Sequence, residues 1–206
     1  MSSLTTYDPT SDKYQVRFAG KTIQTTLTKS ASKINEWINE ITNKYSSTTP
    51  AKPQVVGLDI EWRPHPIRSL SNTTATLQLC IDTDCLIIQL FYVDYIPQSL
   101  KDFLSSSEFT FVGVEVADDA AKLKSEYGLE CRKTDDVRVA AMRRWPHRFR
   151  RPGLKDLALD LLSLNMNKSK RVTLSDWQAE VLNIEQVQYG CIDAYASYRL
   201  GRLLLD

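Results

Sequence analysis

Residues 55–62 read VVGLDIEW. An apolar run of this kind reads as a buried strand, yet two of its last four residues are carboxylates, Asp59 and Glu61. Side chains two apart on a strand share a face. The two acids therefore point one way, and Leu58 and Ile60 point the other. An unpaired buried carboxylate is costly, and two neighbouring ones repel. Such a pair persists at a solvated edge, beside cations, or around a metal. Hard divalent ions such as Mg²⁺ take oxygen ligands of this kind. Taken alone, the stretch favours the plainer alternative, a strand end already in solvent.

Working outward, TATLQLCI (74–81) and CLIIQLFY (85–92) are strands joined by a short turn, which predicts an antiparallel hairpin. Upstream, Tyr14, Val16 and Phe18 alternate, as do Ile23, Thr25 and Leu27 after AGK, which is a second hairpin signal. Ile34, Trp37, Ile38, Ile41 and Tyr45 recur at helical spacing, and SSTTPAKP (46–53) reads as a linker. Downstream, the pattern predicts a helix near 98–106, a strand FTFVGVE, and helices near 118–127, 135–144, 153–164 and 184–205. Residues 1–12 read as a flexible tail, which leaves 13–206 as a single domain. Strands first, then strand and helix in alternation, predict an α/β fold with a mixed β-sheet flanked by helices.

The chain has 206 residues and a net charge of +1, from 26 basic and 25 acidic residues. This balance excludes a wholly basic coat but not local patches. No stretch approaches the roughly 20 apolar residues that span a bilayer, and residues 1–12 lack a signal-peptide core. The expectation is a soluble, non-secreted protein, cytoplasmic or else nuclear, with no membrane partner. Four scattered cysteines without a C-x-x-C pair predict reduced thiols. Two histidines make a zinc site improbable.

Two further stretches carry acids. VADDAAKL places Asp118 and Asp119 at the start of a helix, where acids commonly cap. QYGCIDAYASYRLG places Tyr189 and Asp193 four apart on one helical face. Each is weak by itself, but their order is not. D-x-E ends a strand, TLQLCI follows, then V-G-V-x-x-x-D-D-x-x-K-L, then Y-x-x-x-D-A-Y. With GLKDLALDLL at 153–162 and Trp177 ahead of Tyr189, the sequence resembles the DEDD superfamily of 3′–5′ exonucleases over about Val55–Leu205. Within it, the tyrosine-bearing DEDDy subgroup and its Werner-syndrome exonuclease branch match best.

The resemblance implies a ribonuclease H-like (DnaQ-like) fold. It assigns Asp59 and Glu61 to the first motif and Tyr189 and Asp193 to the third. Lys122 selects Asp119 for the second, with Asp118 as the fallback. GVEVADD is a residue longer than in some relatives, which would shift the helix start. The family's chemistry implies two Mg²⁺ or Mn²⁺ ions about 4 Å apart, held by Asp59, Glu61, Asp119 and Asp193. In that picture Asp59 bridges both ions and Tyr189 orients the attacking water. The resemblance implies nucleoside 5′-monophosphates as products. The compact length resembles small stand-alone plant exoribonucleases, which form homohexamers and associate with the Argonaute silencing complex. That implies single-stranded RNA as substrate and a homo-oligomer. A Werner-like DNA exonuclease is the alternative, and an inactive scaffold on the same fold is a second.

RRWPHRFRR (143–151) holds five arginines and no acid. Arg143, Arg144, Arg148, Arg150 and Arg151 suit phosphate, and Trp145 or Phe149 suits base stacking. The plain alternative is a solvated loop or a subunit contact. NKSKR (167–171) is a second basic run. Arg63, His65 and Arg68 follow the catalytic strand and are candidates for substrate contact, although a plain loop role fits His65 better. Leu77 and Gln78 border the terminal nucleotide by resemblance, or simply belong to a strand. Trp37 and Trp177 read as core.

Overall fold

The computed structural model describes residues 4–45, 53–67 and 71–205. Its strands are β1 (Leu4–Asp8), β2 (Lys13–Phe18), β3 (Lys21–Thr28), β4 (Gln54–Trp62), β5 (Thr74–Ile81), β6 (Asp84–Ile88), β7 (Phe109–Gly113) and β8 (Thr134–Asp136). Its helices are α1 (Ala31–Tyr45), α2 (Gln98–Ser105), α3 (Val116–Tyr127), α4 (Val137–Arg144), α5 (Leu154–Leu162), α6 (Lys170–Thr173) and α7 (Ile184–Leu205). The strands form one mixed sheet in the order β1-β2-β3-β6-β5-β4-β7-β8. β4 sits inside it, antiparallel to β5 and parallel to β7. No helix among the described residues is long and apolar enough to cross a membrane.

The alternation in β4 decides which helix covers which face. Leu58 and Ile60 are buried. Val56, on their face, pairs with Phe111 of β7. Phe111 contacts Phe103 of α2, and Phe103 meets Trp37 of α1 edge-on. Gly57, Asp59 and Glu61 face the other way, toward α7. A Cβ on Gly57 would lie 1.9 Å from the Ala194 carbonyl oxygen and 2.6 Å from the Tyr198 nitrogen. The bare glycine lets the helix backbone rest on the strand. Gly201 does the same further along α7, against Val55 and Val112.

Several sequence expectations need correction. Residues 4–8 are a strand rather than part of a flexible tail. They pair with β2, place the Tyr7 ring at a tilt 5.1 Å from Tyr14, and donate from Thr5 to Gln188 of α7 at 2.9 Å. Their sequence hides this because the one buried side chain, Thr5, is polar and its partner Gln188 is far away in the chain. The strand at 85–92 ends at Ile88, where the chain turns and the Gln89 amide donates to the carbonyls of Ala179 and Glu180. FTFVGVE stops at Gly113. The helix expected from 135 begins at Val137, because the Asp136 carboxylate accepts from the Arg138 and Val139 N–H groups and caps it. β8 and α6 are too short for periodicity to reveal. Residues 46–52 of the linker and Arg68 lie outside the described residues.

Candidate active site

β4 and α7 build the centre of the site. Because α7 lies on Gly57, its residue Asp193 comes to rest beside Asp59. One carboxylate oxygen from each of Asp59, Glu61 and Asp193 lies within 4.8 Å of the other two. Asp193 is 2% exposed, and Asp59 and Glu61 are half-buried, so the strand acids face a helix rather than open solvent. Burial and the Asp193 charge push the Asp59 carboxyl well above its usual range, with Lys168 opposing. Burial, then Asp59 and Asp193, do the same to Glu61. Burial raises Asp193, again against Lys168. Three crowded acids, one buried and two half-buried, resist ionising together unless positive charge enters. Three hard oxygen donors at this separation fit a divalent ion such as Mg²⁺ or Mn²⁺.

Tyr189 lies one turn before Asp193 on α7. Its hydroxyl accepts from Thr173 Oγ1 at 3.1 Å, and its ring meets buried Trp177 at 5.8 Å. Those contacts fix the ring beside the acids. Burial and the Asp193 charge push the phenol up to about 12, so it keeps its proton at neutral pH.

Asp119 sits in the first turn of α3, half-buried, whereas Asp118 is exposed. Burial, followed by the charges of Asp118, Glu115 and Asp136, pushes Asp119 up to about 7. Its charge reaches Asp59 and Glu61, although it stands outside the tight trio. Glu115 takes a left-handed conformation (φ 60°, ψ 26°), and α3 starts at Val116 rather than 118. The Asp136 carboxylate accepts the Glu115 N–H at 2.7 Å, and Arg138 pairs with the Glu115 carboxylate at 2.7 Å. The hydrogen bond and charge of Arg138, then Arg151, hold that carboxyl below its usual range.

The remaining candidates are dispersed. Arg63 is exposed and 3.9 Å from Asp176. His65 Nδ1 takes the Ile67 N–H at 3.0 Å, closing its own loop. Trp145 and Phe149 are half-buried against the core, edge-on at 6.3 Å, with the Arg148 guanidinium over both rings. Arg148 also pairs with Asp160 at 2.9 Å. Arg144 reaches the Leu203 carbonyl, and Arg143 and Arg150 are exposed. Arg151 reaches Glu115 at 3.6 Å, beside the start of the helix that bears Asp119. Gln78 pairs in register with Asp59, its Nε2 donates to Thr76 Oγ1 at 2.6 Å, and its Oε1 is buried without a partner among the described residues.

One residue of the basic run 167–171 lies beside the acids. Lys168 forms an ion pair with Asp193 and lies 5.2 Å from the Tyr189 ring centre. Burial opposes its charge, but Asp193 and Asp59 outweigh that and hold the ammonium protonated. The signal was present in the sequence. In SLNMNK, Leu164 and Met166 are buried and alternate with exposed neighbours, so Lys168 follows them inward.

The chain is similar to known proteins over most of its length. Residues 26–205 match the family model described as 3′–5′ exonuclease. A 3′–5′ exonuclease of Arabidopsis thaliana is 33% identical over 159 residues, covering 73% of this chain and 52% of the relative. Human exonuclease 3′–5′ domain-containing protein 2 is 32% identical over 157 residues, covering 73% of this chain and 25% of the relative. The chain thus spans about half or less of these relatives' length. The EXD2 exonuclease domain soaked in Mg and GMP superposes with a TM-score of 0.51 at 26% identity, covering 85% of this chain and 86% of that one. Escherichia coli RNase D shares the fold with a TM-score of 0.70 at 16% identity, over 87% of this chain and 44% of that one. The architecture is ribonuclease H-like, and since the matching family model runs from β3 through α7, the chain belongs to the 3′–5′ exonuclease family.

Proposed function

We propose that this chain is a divalent-metal-dependent 3′–5′ exonuclease that shortens single-stranded nucleic acid, RNA in preference to DNA, with Asp59, Glu61, Asp119 and Asp193 as metal ligands for two ions. The observation that carries the reading is the meeting of Asp59, Glu61 and Asp193 within 4.8 Å, from a strand and a helix more than a hundred residues apart. Mg²⁺ and Mn²⁺ soaks of the EXD2 domain support the choice of ion. Divalent ions held there supply Lewis-acid stabilisation of charge on the phosphate and the reacting oxygens.

The chain's own residues do the rest. Asp59, Glu61 and Asp193 offer oxygens from one wall, and Asp119 faces them from the start of α3. Tyr189, protonated at neutral pH, offers its phenol to the attacking water and orients it. The water oxygen bonds to phosphorus as the bond to the 3′ oxygen breaks. A nucleoside 5′-monophosphate leaves, and a new 3′ hydroxyl remains on the shortened strand. Arg151 beside Glu115, with exposed Arg143 and Arg150, offers phosphate contacts along one approach, and Arg63 and His65 offer another. The preference for RNA rests on resemblance to the small plant exoribonucleases. So do a homohexamer, which light scattering on a sizing column tests, and association with an Argonaute silencing complex.

Incubating the protein with end-labelled single-stranded RNA and DNA, with Mg²⁺, Mn²⁺ or chelator, tests the reading. Metal-dependent shortening from the 3′ end is expected, faster on RNA. Binding without shortening would sink the enzyme reading, and faster shortening of DNA would point to the Werner-like alternative. Two variants sort the roles. Tyr189→Phe keeps the Trp177 contact and loses the hydroxyl, so turnover should fall about ten- to a hundredfold, the scale of a misoriented nucleophile. Turnover equal to wild type would remove Tyr189 from the mechanism. Asp119→Asn should lower turnover by about a hundredfold or more, whereas exposed Asp118→Asn should stay within about twofold. The reverse ranking would move the second-motif acid to Asp118.

A further inference from the structure

Lys168 presents a cation where the metal reading needs one. The segment between α5 and α6 is pinned by buried Leu164 and Met166, and the next inward side chain is Lys168. Its ammonium pairs with the Oδ2 of Asp193, whose side chain is 3% exposed, and it is also held over the Tyr189 ring. Asp59 and Glu61 feel the same charge. Its charge thus bears on all three clustered carboxylates, with the direct contact made to Asp193. It lines a crevice with Tyr189, Asp193 and Gln188 that opens to solvent. An ammonium can therefore leave the acids without unfolding the segment that carries it.

We propose that Lys168 is an internal counterion that occupies the carboxylate cage in place of a divalent ion and competes with that ion for Asp193. With no metal present, a protein with three converging acids needs positive charge there to hold α7 against β4. A tethered ammonium supplies one charge and no Lewis acidity. A divalent ion supplies two charges and takes oxygen ligands closely, so it displaces the ammonium, which swings into the crevice toward solvent. The lysine thus holds the site together between metal-binding events and sets a threshold concentration for loading. This rests on the metal reading of the same site.

Calorimetric titration of nucleic-acid-free, chelator-stripped protein with MnCl₂ tests it without any turnover. Lys168→Met keeps the aliphatic stem and deletes the charge. Mn²⁺ should bind this variant about tenfold more tightly or better, which corresponds to about 1.4 kcal/mol. In chelator the variant should melt at a lower temperature than wild type, and saturating Mn²⁺ should close that gap. Lys168→Arg keeps the charge and should bind Mn²⁺ no more tightly than wild type. In an Asp193→Asn background, Lys168→Met should no longer lower the metal-free melting temperature, because the paired carboxylate is gone. If Lys168→Met fails to fold without metal, refolding with Mn²⁺ replaces the melting comparison; recovery supports the counterion role and no recovery overturns it. Equal Mn²⁺ affinity in wild type and Lys168→Met overturns the competition while leaving the metal reading intact. No Mn²⁺ binding to either protein overturns the metal reading itself, and the competition with it.

Discussion

Asp59→Asn is expected to lower 3′ shortening by at least about a thousandfold, the scale on which loss of central electrostatic machinery acts. The same variant should melt at a higher temperature than wild type when both are in chelator. Asp59 pairs in register with Gln78 in the middle of the sheet and faces Asp193 on α7. Its neutral amide keeps the shape but removes one of three crowded charges. A melting midpoint moves about 2–4 °C per kcal/mol in a domain of this size, so the gain is measurable. The pH dependence has a defined sign. Asp59, Glu61 and Asp193 have raised pKa values in the folded state, chiefly from burial, and Asp119 is pushed up to about 7. Carboxyls raised on folding bind more protons in the native chain than in the unfolded one. Stability in chelator should therefore fall as pH rises from the ordinary carboxylate range toward and past about 7. Asp59→Asn should flatten that fall, and saturating Mn²⁺ should suppress it in wild type. A metal-free melting curve that rises with pH over this window, or an Asp59→Asn protein that melts lower in chelator, would show that the acids are not crowded as described.

Gly57→Ala is expected to destabilise the fold by more than about 3 kcal/mol, beyond the usual range for an overpacked core, and to lower activity in whatever protein remains folded. The new methyl would lie 1.9 Å from the Ala194 carbonyl oxygen, which is main chain and cannot rotate away. Relief requires α7 to lift off β4, and α7 carries both Tyr189 and Asp193. Stability and catalysis therefore fail together. Gly153→Ala is the matched control. Its Cβ would meet only Asp156 Oδ2 at 3.5 Å, and its φ of −81° suits any residue. It should stay within about 1 kcal/mol of wild type. Denaturant unfolding of both variants reads the contrast directly. Gly57→Ala with wild-type stability would mean that the helix does not lie this close to the strand.

Much of this was legible in the sequence because periodicity is a local property. The two-residue spacing in VVGLDIEW put Asp59 and Glu61 on one face, and the four-residue spacing put Tyr189 and Asp193 on another. Both pairs fall where the spacing placed them. The Lys122 rule selected Asp119 over Asp118, and Asp119 is the half-buried one. Illegible features depended on partners distant in the chain. The strand at Leu4–Asp8 pairs with its near neighbour β2, but it buries only the polar Thr5, whose partner Gln188 lies far off on α7. The left-handed Glu115 is held by Asp136 and Arg138, which lie more than twenty residues downstream.

The sequence alone determined which residues carry charge, which face each one takes within its own element, and the order of motifs that marks the family. Whether those faces meet was decided only by tertiary structure. A helix backbone resting on a glycine brings Asp193 to Asp59, and an inward lysine answers the charge they accumulate. Face and period follow from bonded geometry a few residues long, whereas convergence depends on contacts between elements more than a hundred residues apart.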